Sequence, residues 1–271
     1  MRIIPKLDIK GSSLVKGINL EGLRVLGDPK AFINYYFKYG ADEFIFHDIV
    51  ASLYLRNQLS SFVREISKNI FIPIIVGGGI RNLKDIEQLL KNGADRVFIN
   101  TNVLNNKKLL SDACRYFGSS TIVVSIEAVE INDKFFCTKD YGRELTKKKV
   151  ENWIKEVEDL GVLELLITSV NNEGTGKGFN LKLAEIVRDN TSVRYIINGG
   201  FKEIKHINDL LEVCSPSGIA ISSALHYKIH DKFKYDANCD GNTEFLKTND
   251  KFFLEKKKIP SLQNIKKLFS K

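Results

Sequence analysis

Cysteine is scarce in this 271-residue chain: its four residues, Cys114, Cys137, Cys214 and Cys239, stand far apart and form no CxxC pair. That spacing argues against a structural zinc site or a disulfide framework and for a reducing cytosol. Long apolar runs are missing too; the longest are strand-length, well short of the ~20 residues a membrane-spanning helix needs. The chain enters a strand pattern at Arg2, which leaves no room for a signal peptide and predicts a soluble cytoplasmic protein. No basic stripe interleaved with aromatics is present, so the net charge of +8 does not read as a nucleic-acid module. The surplus lysines fall mostly on predicted outer helices and the tail, as in Lys147-Lys148-Lys149 and Lys256-Lys257-Lys258. An anionic small-molecule partner and a merely solvated surface account for that charge equally well. With 43% hydrophobic residues the chain can bury a full core.

What the chain does contain, it contains twice. Ile3-Ile4-Pro5-Lys6-Leu7-Asp8 is matched about 120 residues later by Val123-Val124-Ser125-Ile126-Glu127. Gly40-Ala41-Asp42-Glu43-Phe44-Ile45-Phe46 returns as Gly161-Val162-Leu163-Glu164-Leu165-Leu166-Ile167, and Ile75-Val76-Gly77-Gly78-Gly79 as Ile196-Ile197-Asn198-Gly199-Gly200. The period is far too long for a solenoid. Strand patterns fall at roughly 2–8, 44–49, 72–77, 96–100, 121–128, 163–169, 194–198 and 218–222, and helix patterns at 29–39, 57–69, 82–92, 106–117, 147–160, 180–190, 202–213 and 260–270. Asp28-Pro29 predicts an N-cap followed by proline at the first helical position, and Gly40, Gly93 and Gly161 stand where a helix must turn into the next strand. Eight β/α units with a twofold half-barrel repeat predict one (β/α)₈ barrel over residues 1–271. A doubly wound open sheet is the alternative, and it leaves the repeat unexplained. Residues 230–258 resist the pattern and read as an irregular insertion between the eighth strand and its helix. Within it Asp236-Ala237-Asn238-Cys239-Asp240-Gly241 imitates an EF-hand start, but Lys247 stands where the bidentate glutamate belongs.

In such a barrel the chemistry sits at the C-terminal ends of the strands. Asp8 ends the first strand and Glu127 the fifth, so two carboxylates face each other across the mouth, placed for general acid and base work. Gly77-Gly78-Gly79 after the third strand and Gly199-Gly200 after the seventh are turns where backbone N–H groups can encircle a phosphate. Asn100-Thr101 and Ser222-Ser223, after the fourth and eighth strands, add side-chain donors. A loop from Asn172 through Glu173 and Gly174 to Gly178 closes over the second turn. Two cradles at matching places predict a long substrate carrying a phosphate at each end. His226 and His230 lie four apart, but without a third ligand they read as structural or solvent-facing rather than as a metal pair.

These residues resemble the cyclase subunit of imidazole glycerol phosphate synthase and its barrel relative in histidine synthesis. The matches are Leu7-Asp8-Ile9-Lys10 with Leu14-Val15-Lys16-Gly17, Gly27-Asp28-Pro29, Val76-Gly77-Gly78-Gly79-Ile80-Arg81, Gly93-Ala94-Asp95-Arg96, Ile99-Asn100-Thr101 and Thr168-Ser169. They span about residues 1–228 and 259–270; Val15-Lys16-Gly17 and the stretch from Thr168 to Gly178 favour the cyclase. The resemblance implies a bisphosphorylated ribulosyl formimino-carboxamide ribotide as substrate, with Lys16 among its binding residues and no cofactor or metal. Ammonia would close an imidazole ring and split off aminoimidazole carboxamide ribotide. It would come from a glutaminase subunit, held as a heterodimer on the opposite face, and pass along the barrel axis. Arg2, Glu43, Arg96 and Glu164 match the charged gate of that face. Read on their own, the four fall at strand starts and alternate in sign, which fits a closed ring of ion pairs that could equally be a structural plug.

The chain also departs from the family. Glu127 stands where a second catalytic aspartate is expected, Glu173 likewise replaces an aspartate, and Asn198 replaces a small residue. The extra methylene of Glu127 moves its carboxylate by about 1.5 Å. Lys6, two residues before Asp8 and on the same side of the strand, stands where a small residue is usual. A buried ammonium needs a counter-charge, and Asp8 and Glu127 are the carboxylates at hand. Such changes fit a second reading, a paralogue that relays ammonia from a glutaminase to an amidotransferase in amidino-sugar synthesis for lipopolysaccharide or O-antigen.

Overall fold

In a computed structural model, described here for residues 1–51, 59–233 and 258–269, eight parallel strands close on themselves. They are β1 (Arg2–Lys10), β4 (Phe44–Asp48), β5 (Ile74–Gly77), β6 (Arg96–Ile99), β7 (Ile122–Ile131), β10 (Glu164–Ser169), β11 (Arg194–Asn198) and β12 (Gly218–Ile221). Each pairs with its neighbour in sequence, and the parallel pairing of β7 with β10, Val124 opposite Leu165, completes the ring with β12 beside β1. The expected (β/α)₈ barrel is therefore present. Around it pack α1 (Pro29–Lys38), α2 (Leu59–Ile66), α3 (Leu83–Lys91), α4 (Thr101–Asn105), α5 (Lys107–Phe117), α6 (Val150–Asp159), α7 (Leu181–Asn190), α8 (Ile204–Val213), α9 (Ser223–Ile229) and α10 (Leu262–Lys266).

Local chemistry sets these boundaries. The Asp28 side chain accepts from the Lys30 amide at 3.0 Å with Pro29 at the start of α1, as the sequence predicts. Asn82 and Asn180 cap α3 and α7 in the same way. Gly40, Gly93 and Gly161 all take positive φ where a helix turns into a strand.

Alternation along the strands divides the core in two. Outward residues such as Ile3, Leu7, Phe44, Val76, Val97 and Ile219 pack against the helices. Inward, Ile4, Ile45, Ile75, Phe98, Val123, Leu166, Ile196 and Ala220, one from each barrel strand, form a separate apolar layer across the lumen. Charged residues lie on both sides of that layer, Lys6 and Asp8 on one and Arg2, Glu43, Arg96 and Glu164 on the other.

Two antiparallel excursions go beyond the sequence reading. After β1 the chain makes β2 (Ser13–Ile18) and β3 (Glu21–Gly27); after β7 it makes β8 (Lys134–Lys139) and β9 (Glu144–Lys149). They follow the first strand of each half, so the duplication extends to them. The β7–β8 hairpin turns on Asn132 and Asn132's neighbour Asp133, at φ 50° and 57°, the left-handed pair that a two-residue hairpin turn requires. The insertion expected at 230–258 falls almost wholly on residues outside the described ones, as do the EF-hand-like stretch Asp236–Gly241 and Cys239; a 3₁₀ turn over His230–Lys232 leads up to it.

Candidate active site

Period-2 alternation points Lys6 and Asp8 of β1 into the lumen above the apolar layer. Asp8 has no exposed surface and is enclosed by donors from three elements. Lys6 forms an ion pair with Oδ1, Lys16 of β2 donates to Oδ2 at 2.6 Å, and the Tyr141 hydroxyl donates to Oδ2 at 3.0 Å. The His47 Nδ1 of β4 stands 3.8 Å from Oδ1. Burial alone would raise the Asp8 pKa, but Lys16 and Lys6 outweigh it and hold the carboxyl well below the usual carboxylate range. Lys16 also pairs with Glu173, whose Oε2 accepts from the Asn198 amide at 3.2 Å. Desolvation opposes the Lys16 charge, yet Asp8 and Glu173 prevail and its pKa rises above the ordinary value. Lys16 thus lies in an interior charge network that joins Asp8 to Glu173.

Glu127 has different company. Its Oε2 accepts from the Asn100 side-chain amide at 3.1 Å and from the Gly142 backbone N–H at 3.0 Å. Burial pushes its carboxyl up to about 7, with Lys6 and the Gly142 amide offsetting only part of that. The two carboxyls are therefore shifted in opposite directions, Asp8 downward and Glu127 upward. The same short loop touches both: Asp140 and Tyr141 adopt φ 51° and 60°, a left-handed conformation costing non-glycine residues on the order of 1 kcal/mol each. That strain holds the Tyr141 hydroxyl on Asp8 and the Gly142 amide on Glu127. His47 packs edge-on against Phe98 and Tyr141 at 5.0 and 5.3 Å; burial, reinforced by the Lys6 charge, lowers its pKa to about 3, so the ring is neutral.

Two cavities flank this centre at equivalent places in the halves. The first is lined by Gly78, Gly79, Asn100 and Thr101 together with His47, Glu127 and Tyr141. The second is lined by Gly199, Gly200, Ser222 and Ser223 with Glu173, Gly174 and Asn198. Both turns need glycine: a Cβ on Gly78, at φ 113°, would stand 2.2 Å from the Asp48 carbonyl oxygen. On Gly200, at φ 99°, it would stand 1.9 Å from the Gly178 carbonyl oxygen. The Oδ1 of Asn100 and the Oγ of Ser223 are buried without a hydrogen-bond partner, and the Thr101 hydroxyl accepts from the Asp140 amide at 3.0 Å.

At the opposite end of the lumen Arg2, Glu43, Arg96 and Glu164 close into a ring. Arg2 donates to Glu43 at 2.7 Å and pairs with Glu164, while Arg96 pairs with both glutamates. The two carboxylates are buried, at 1% exposure each, and the arginines cover them from the rim.

His226 is a core residue: its Nε2 faces the Lys6 carbonyl oxygen at 3.0 Å and its Nδ1 the Tyr36 hydroxyl at 2.7 Å. A carbonyl only accepts, so Nε2 carries the proton, and both nitrogens are occupied. Among the described residues no group of three or more His, Cys, Asp or Glu is placed to hold a metal ion. Sequence reasoning missed Tyr141, Gly142 and His47. The turn signal Asp140-Tyr141-Gly142 was readable as a loop, but its contact with Asp8 spans 133 residues of chain.

The chain matches the histidine biosynthesis protein family over residues 2–231. Imidazole glycerol phosphate synthase subunit HisF of Legionella pneumophila is 47% identical over 209 residues, covering 77% of this chain and 99% of the relative. The protein of the same name from Clostridium beijerinckii is 40% identical over 228 residues (83% and 90% coverage), and that from Petrotoga mobilis 37% over 232 (84% and 91%).

Proposed function

The chain belongs to the histidine biosynthesis protein family, among the cyclase-type subunits of imidazole glycerol phosphate synthase, and from that premise we propose how its barrel works. A bisphosphorylated formimino-carboxamide ribotide lies across the mouth. One phosphate rests in the turn of Gly78, Gly79, Asn100 and Thr101, the other in the turn of Gly199, Gly200, Ser222 and Ser223, where Gly174 and Glu173 form part of the wall. Between them the substrate's reacting atoms pass over the floor that holds Asp8 and Glu127. Ammonia reaches that floor from below, released by a glutaminase subunit docked against the ring of Arg2, Glu43, Arg96 and Glu164. Its path runs up the axis through the apolar layer, which offers no donor or acceptor to hold it. Ammonia condenses with the substrate's ribulosyl ketone with loss of water, and closure of the imidazole ring expels aminoimidazole carboxamide ribotide. The buried free thiols Cys114, Cys137 and Cys214 suit a reducing cytosol.

One observation carries this reading: two glycine turns, equivalent under the internal repeat, flank the centre that holds Asp8 and Glu127. Calorimetric titration with inorganic phosphate, with crystals grown in it, should show two anions at the mouth. Gly200→Ala should remove the second and leave the first. Anions in neither turn at high phosphate would remove the basis for a bisphosphate substrate.

The second reading, an ammonia relay whose own site is idle, draws on the Lys6–Asp8 ion pair and the complete burial of Asp8. Free ammonia separates the two, because only a working cyclase consumes the bisphosphate substrate.

A further inference from the structure

We infer that Lys6 withdraws Asp8 from the chemistry and leaves Glu127, of these two facing carboxylates, as the one that exchanges protons with the substrate. This rests on the cyclase reading and divides the labour between two residues that the reading treats alike. Both oxygens of Asp8 are committed: Oδ1 to Lys6, Oδ2 to Lys16 and to the Tyr141 hydroxyl. An anion satisfied by two ammonium groups and a phenol has little tendency to take a proton, and Asp8 has no surface open to the mouth. Among the described residues Glu127 is held through Oε2, by two neutral N–H donors, and it lines the first cavity.

The groups facing Glu127 can be named element by element. β1 offers Lys6, which favours the anion, and Asp8, which opposes it; Asn100 and the Gly142 amide offer neutral donors. The Tyr141 phenol is held protonated, its pKa pushed far up by burial and by Asp8. Asp48 and the neutral His47 of β4 line the same cavity, and Thr168, opposite Glu127 on β10, is uncharged. Lys6 is the full charge that favours ionisation, and Asp8 shares it. Proton affinity near neutrality suits a group that must take a proton from attacking ammonia and return it to the departing nitrogen. Both transfers conserve the proton: Glu127 leaves the cycle as the carboxylate that began it. Lys6 is a positioning residue, acting through Asp8.

The test follows turnover against pH with free NH₃ held constant, using the whole chain and the bisphosphate substrate. The wild type should show an inflection near pH 7 that Glu127→Gln abolishes together with about a thousandfold of the rate, within the usual range of general acid–base catalysis. Removing Lys6 and Asp8 together, as Lys6→Met with Asp8→Asn, spares an unpaired charge because Lys16 keeps Glu173. That double variant should lose less than Glu127→Gln, about a hundredfold at most, the scale of a misplacement of about 1 Å. Lys6→Met alone should move the inflection upward, since the cation favouring the anion is gone; a purely structural lysine would lower the rate and leave the inflection in place. Infrared titration of the carboxyl band lost in Glu127→Gln reads the same ionisation without turnover, so it still decides the matter if the cyclase reading fails. A folded double variant as inactive as Glu127→Gln, or a Glu127 band titrating at the ordinary carboxylate pH, overturns the inference.

Discussion

A carboxyl group sealed among amides and one sealed among ammonium groups respond to pH in opposite ways, and the mouth holds one of each. Glu127 has an ordinary value of 4.5 and a folded value of about 7, so the folded state binds the proton more tightly. Its contribution to stability is fully present below pH 4.5 and is lost as pH rises through about 7. The full swing is roughly 3 kcal/mol before relaxation. Asp8 works the other way: its pKa is lowered, so its stabilisation is present above the ordinary carboxylate value and is lost in acid. Glu127→Gln should therefore raise the melting temperature relative to wild type more at pH 8 than at pH 5, as read by thermal unfolding at both. An equal shift at the two values would mean that Glu127 ionises freely in the folded chain.

At the scale of elements, the barrel strands and most helices were legible because their apolar residues keep a clean period. β10 and β11 start and end within a residue of their sequence patterns. The β8–β9 hairpin was not legible, because β9 (Glu144–Lys149) reads ELTKKK with mostly exposed or half-exposed positions and no apolar alternation. Of the site, Asp8, Glu127, both glycine turns and the four ring charges could be read from strand ends. Tyr141 could not: its role comes from a hairpin folding back over the lumen. The ring ties β1, β6 and β10 together through Arg2, Arg96 and Glu164, with Glu43 just ahead of β4. If it gates ammonia, Arg96→Ala should cut glutamine-driven turnover by about tenfold, the size of an ordinary coupling between sites, while ammonia-driven turnover stays near wild type. Parallel assays with both nitrogen sources decide it; equal loss in both would make the ring a structural plug.

At the scale of the molecule, the lumen is stacked by function along one axis. A ring of ion pairs closes the bottom, an apolar layer fills the middle, and the carboxylates and their cations lie above it between the two glycine turns. Among the described residues no helix is long and apolar enough to cross a membrane. The twofold repeat explains why the cradles match, and the two carboxylates show where the halves have diverged. The central claim is that this divided site still performs the cyclisation. It is tested most directly by giving the purified chain, without a glutaminase, the bisphosphate substrate and saturating free ammonia, and measuring imidazole glycerol phosphate. The wild type should turn over, and Glu127→Gln should not. A folded wild-type chain that binds phosphate in both turns and yet forms no product would contradict it.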